Sequence, residues 1–225
     1  MGLFSKLTWS NSKRFNYLFV SLVLFIVLPP FLVDLFFLKY AVILLLINVL
    51  GICTIIISVK SPVERYDFVL FIVLILASVL DDTQSIGLEI FRSIFIFLFF
   101  TLTIRRLVIY ILKVDKVTES VIIGAVSAYL LLGLTGAVLT NLVGIIYPGS
   151  FKAPSDFHNF YNMVYYSFVT MSTLGYGDIV PQTPQAKSVA MTISVFGQLY
   201  LAVLMAMLVG KFLSYKNNER SDEDI

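Results

Sequence analysis

Residues 173–178 read Thr173-Leu174-Gly175-Tyr176-Gly177-Asp178. The chemistry such a string offers lies in its backbone. Two glycines flanking one aromatic let a chain run extended with successive carbonyls turned the same way, because glycine admits dihedrals that other residues avoid. Carbonyl oxygens so aligned replace the water shell of a bare monovalent cation. The string directly follows residues 159–170, an aromatic and apolar stretch too short to cross a bilayer, which reads as a re-entrant or buried helix. Irregular backbone is tolerated at membrane depth only where protein buries it or where it lines water. One chain supplies one such strand, and ringing a cation takes four. A tetramer is expected, most simply a homotetramer with cyclic symmetry.

The rest of the chain must hold that string in a membrane. Hydrophobic residues make up 59% of the 225 positions and charged residues 13%, against about half and about a quarter in ordinary globular domains. So much apolar surface cannot fit one small core and must face lipid. That composition excludes disorder, and a disulfide scaffold is excluded because Cys53 stands alone. A net charge of +2 gives no argument for a nucleic-acid partner.

Six apolar runs are long enough or well enough signalled to span: 17–33, 41–59, 68–80, 86–104, 118–143 and 188–210. The third is short, but Ser61, Pro62 and Glu64 form a helix-start signature before it. The fourth is interrupted by Glu89 and Arg92. With the N-terminus in the cytoplasm, Lys and Arg divide as 12 inside, 3 outside (Lys39, Lys152, Lys187) and one embedded, Arg92. Both termini are then cytoplasmic and the re-entrant loop faces outward. The first run reads as a signal-anchor without a cleavage site.

The expected class is an all-α integral membrane protein, with six transmembrane helices, a re-entrant pore helix and a filter loop. The divisions are 1–14, a cytoplasmic N-terminus; 15–104, a four-helix domain; 105–117, an amphipathic interfacial linker helix; 118–214, a pore domain; and 215–225, a short acidic tail read as disordered.

Residues 157–178 resemble the pore loop of the tetrameric potassium-channel family, and residues 118–211 resemble its whole pore module. Leu174 stands where Val or Ile is commoner, a departure of little weight because only the carbonyl is used. Tyr176 argues against the related non-selective channels, which are acidic there. The resemblance implies that Thr173, Leu174, Gly175 and Tyr176 offer carbonyls to K+, and that the Thr173 hydroxyl closes the innermost site. It implies that Gly177 permits the outward turn and Asp178 sits behind the filter. Tyr165 stands where the family often has a Trp bonded to that aspartate, and a tyrosine hydroxyl can do the same. Val169 occupies a position that is acidic in some bacterial members and apolar in voltage-gated ones. Gly197, twenty residues after Gly177, has the spacing of the family's inner-helix hinge glycine.

On the last run Gln198, Leu201, Met205 and Val209 recur at i, i+3, i+7 and i+11 and share one face. Gln198 suits a water-filled cavity, or equally a hydrogen bond to a neighbouring helix. Leu201, Met205 and Val209 suit a dewetting gate or ordinary packing. Gly197 suits a bending point or a close helix contact.

Six spans with the pore last is also the layout of voltage-gated channels. Reading every third position from Arg92 gives Phe95, Leu98, Thr101 and Ile104, so the cationic ladder is missing. Steep voltage dependence needs about 3–4 gating charges per subunit. The front domain is therefore sensor-like with little or no sensing. Arg92 is expected to pair structurally, with Glu89 or Asp34, in preference to gating.

No nucleotide motif, metal cluster or nucleophile constellation is present, and His158 reads as an exposed bystander. The expectation is a potassium-selective channel of the plasma membrane. It is not an enzyme, and K+ is its cargo. It has no cofactor and no attached ligand-binding domain, and membrane lipid surrounds it. It resembles small prokaryotic six-span members. The rivals are a voltage-gated channel, a subunit that conducts only in mixed tetramers, and a secondary transporter.

Overall fold

The computed structural model describes residues 2–32, 86–114, 117–153 and 160–223. The second and third expected spans, Asp34, Cys53 and His158 lie outside them. The described helices are α1 (Gly2–Val27), α2 (Ile86–Lys113), α3 (Glu119–Ile146), α4 (Phe160–Met171) and α5 (Pro184–Glu223). Two short strands, β1 (Phe151–Lys152) and β2 (Val180–Pro181), pair antiparallel, with Phe151 opposite Pro181 and Lys152 opposite Val180. Among the described residues, α2, α3 and the Pro184–Lys211 part of α5 are long and apolar enough to cross a membrane.

Helix α3 is the hub, packed against each of the other four helices. Its buried face is rich in small residues, among them Gly124, Ala125, Ala128, Gly133, Gly136 and Ala137. Small residues let helix backbones approach closely where lipid removes the hydrophobic drive between helices. The buried hydroxyls of α3 are satisfied within the helix: Ser127 donates to the Ile123 carbonyl (2.8 Å), Thr135 to Leu131 (2.7 Å) and Thr140 to Gly136 (2.9 Å). On α1 the buried Phe15, Leu18, Leu22 and Phe25 recur at helical spacing and form one face of the core. Phe15 lies on Gly124.

Four elements differ from the sequence expectations. The expected linker helix is no separate element: α2 runs unbroken through Arg105 and Arg106 to Lys113. A rise in charge marks where a helix leaves the apolar layer, but neither proline nor glycine is there to stop the backbone. Helix α1 begins at Gly2, and its apolar part, Phe15–Val27, is shorter than the 17–33 run. Pro29 and Pro30 end it, because proline lacks the N–H that a helix interior needs, and the chain turns through the 3-10 segment Pro29–Leu32. The tail expected to be disordered continues α5 as helix to Glu223. Extending a formed helix costs far less than nucleating one, and no Gly or Pro follows Gly210. The β1–β2 ladder is a small departure from an all-α chain.

Candidate ion-conduction site

Helix α4 has 12 residues, about 18 Å at the α-helical rise, against a bilayer core of about 30 Å. It cannot span, and it ends where the 173–178 string begins. Its seat is built into α3. The Ser167 hydroxyl donates to the Gly133 carbonyl at 2.6 Å. A Cβ on Gly136 would collide with Ser167 Oγ, so only glycine leaves room for that hydroxyl. Phe151 of β1 meets Tyr166 of α4 edge to face at 5.3 Å.

The exit of the string is clipped as well. Beside the β1–β2 pair, the Gln182 amide donates to the Ser150 carbonyl (2.8 Å), and the Thr183 hydroxyl donates to Ser150 Oγ (3.2 Å). Thr183 Oγ1 also accepts from the Ala186 amide (3.3 Å), and Pro184 fills the first helical position of α5. That is a capped helix start, fixed to the loop before α4.

Between these anchors the backbone alternates. Thr173, Gly175 and Gly177 have positive φ values of 62°, 56° and 80°. Reversing the hand at every second residue keeps successive carbonyls from alternating sides as they do in a strand. Glycine adopts such dihedrals freely, but Thr173 is β-branched and carries strain there. The amides are drawn the other way, toward α4: Thr173 donates to the Thr170 carbonyl (3.1 Å), and Leu174 and Gly175 both donate to Val169 (3.0 and 3.3 Å). Among the described residues, no backbone amide donates to the carbonyls of Thr173, Leu174, Gly175 or Tyr176. In one chain all of residues 172–178 are exposed.

The side chains brace the string from behind. The Tyr165 hydroxyl donates to Asp178 Oδ2 at 2.8 Å, and the Tyr165 and Tyr176 rings stack at 6.5 Å with 12° between planes. Asp178 Oδ1 accepts from the Ile179 amide at 3.0 Å. The tyrosine hydrogen bond is the main cause that holds the Asp178 carboxyl below its usual range. Partial desolvation opposes it and the Ile179 amide assists it.

The residues singled out on the last span are all on α5. Gln198 Nε2 lies 3.4 Å from the Met171 carbonyl at the end of α4. Gly197 sits directly on Met171: a Cβ there would clash with the Met171 side chain and come within 2.9 Å of its carbonyl oxygen. Close contact therefore accounts for this glycine without any bend. Gln198, Leu201 and Val209 are exposed in the single chain, and Met205 lies on the same helix. The sequence reading missed Ser167, Gly133 and Gly136. Small and hydroxyl residues facing each other on two helices were the available signal.

Residues 120–214 match the family model described as "Ion channel". The segment also resembles the A-type voltage-gated potassium channel KCND3 of Rattus norvegicus, Oryctolagus cuniculus and Homo sapiens. It is 33% identical to each over 96 residues, or 42% of this chain. The match covers 15% of the length of those relatives. No solved structure matches the chain significantly. The chain is a membrane protein whose residues 120–214 are similar to an ion-channel domain.

Proposed function

We propose that this protein is a potassium-selective channel that conducts K+ passively through a filter of four Thr173–Asp178 strands. The alternating backbone of residues 173–177 is the observation that carries the reading. The carbonyls of Thr173 to Tyr176 have no backbone donors among the described residues, while the amides of Thr173, Leu174 and Gly175 are spent on α4. A bare cation at the axis of a tetramer is the partner those oxygens lack. In this reading Thr173, Leu174, Gly175 and Tyr176 coordinate K+, Tyr165 and Asp178 brace the filter, and Val169 anchors it by its carbonyl. Gln198 faces the cavity, and Leu201, Met205 and Val209 narrow the inner mouth.

The assembly is a homotetramer, because each chain holds one strand of the ring. The relatives' name includes voltage gating, but α2 shows no repeating cation between Arg92 and Arg105, so conduction in this chain is nearly voltage-independent. The six apolar runs support six spans, the Lys and Arg distribution supports cytoplasmic termini, and a plasma-membrane location is part of the same reading.

The deciding experiment is potassium flux from liposomes holding only this protein, with a reversal potential in a potassium/sodium gradient. A reversal potential near the potassium limit is expected. Gly177→Ala or Gly175→Ala puts a side chain at positive φ and should abolish selectivity or conduction. Equal sodium flux, or a variant that behaves like the parent, overturns the assignment.

A further inference from the structure

Helices α2 and α5 flank α3 without packing along each other. Two apolar hollows separate them, of about 330 and 310 Å³, bordered by Phe97 and Ile104 of α2, Leu132 of α3 and Phe196 and Val203 of α5. They are tied at one end. Lys211 Nζ donates to the carbonyls of Ile111 and Leu112, each at 3.0 Å, and to that of Val114. An ammonium has three protons to donate, and all three are used. Ile111 and Leu112 belong to the last turn of α2 and Val114 directly follows it, where carbonyls lack intrahelical partners and the helix dipole is negative. Ile111, Val121, Ala125 and Leu204 close an apolar cluster beside the tie, and Tyr200 donates to the Ala125 carbonyl at 2.7 Å. Keeping water away strengthens such hydrogen bonds.

The direction of the pull follows from helix geometry. Lys211 is two residues beyond Val209, about 200° around the helix. If Val209 faces the pore, Lys211 points away from it. We infer that Lys211 is a fixed prop, which holds the inner end of α5 outward against α2 and so keeps the mouth open without a voltage signal. The inference rests on the channel reading above, because the mouth exists only in that assembly.

The test uses the full chain in liposomes. Lys211→Met keeps the stem and removes every donor. Flux per tetramer should fall about tenfold, the change expected from losing charged hydrogen bonds, with the reversal potential unchanged. Lys211→Arg should retain most of the flux. A second route avoids any folding defect. Lys211→Cys in a Cys53→Ser background is assembled first and then treated with an aminoethyl methanethiosulfonate, which restores a cationic arm. Flux should rise on treatment, and should not rise with a neutral methyl reagent. The prop is overturned if Lys211→Met conducts like the parent, if Arg falls as far as Met, or if the cationic reagent restores nothing. Absence of potassium flux from the parent protein overturns the channel reading itself.

Discussion

Asp178 and Tyr165 form a side-chain hydrogen bond that reaches the string from the body of α4. Because tyrosine donates, the bond favours the carboxylate and holds the Asp178 pKa below its ordinary value of 3.8. The sign follows from linkage. A carboxyl whose folded pKa is depressed contributes stability that is complete above its unfolded value and lost as pH falls through the folded one. Flux and thermal stability should therefore stay flat from about pH 8 to about pH 5 and fall only in strong acid, below 3.8. In Tyr165→Phe the acid limb should move up toward 3.8, and conducting bursts at neutral pH should shorten several-fold while single-channel current is kept. Bilayer recordings over an external pH series check both. A Phe variant with the parent's acid limb would show that the hydroxyl does not support the string. Much of this site is legible in the residues themselves. Gly175 and Gly177 announce positive φ, and the resemblance to the potassium-channel pore loop suggests the bond between Tyr165 and Asp178. The positive φ of Thr173 is not legible, because a β-branched residue is among the last expected there.

At the scale of elements, α4 is positioned by what its neighbours lack. Gly136 makes room for Ser167, and Gly197 makes room for Met171. Adding one methyl at either place overpacks a buried contact, at a cost of about 1–3 kcal/mol. Gly136→Ala and Gly197→Ala should each lower the melting temperature of the detergent-solubilised protein by several degrees. Gly197→Ala should be the worse, since it meets the Met171 carbonyl as well as a flexible side chain. A purely hinge-like Gly197 would instead tolerate alanine thermally and change gating alone. The extent of α4 was readable, 159–170 from sequence against Phe160–Met171 in the fold, because polar residues bound a compact apolar run. The union of the fourth span and the linker into one α2 was not. Hydropathy reports where a helix meets water, while the backbone continues until a cap or a breaker stops it. The β1–β2 clip was equally hidden, since two-residue strands leave no periodicity to read.

For the whole molecule, the question is which subunit's pore each front domain rests on. Five residues, 114–118, join the end of α2 to the start of α3. Even fully extended they reach no more than roughly 18 Å, so α3 must begin close to its own chain's α2. A short connection of this kind makes antiparallel neighbours of the two helices. The far ends are joined too: Asn141 Nδ2 of α3 donates to Ser93 Oγ of α2 at 3.1 Å, and Ser93 is buried. Contact at both ends of a continuous α2 sets that helix against its own chain's α3, and α1 packs on the same α3. The expected outcome is chemical. With Cys53→Ser to remove the native thiol, Ser93→Cys combined with Asn141→Cys should cross-link on oxidation or with a short bis-thiol reagent. The product should run as a single chain on a non-reducing denaturing gel. If each front domain instead rests on the next subunit, the same treatment produces dimers through tetramers, and α2 must then bend away from α3 somewhere between Arg105 and Lys113.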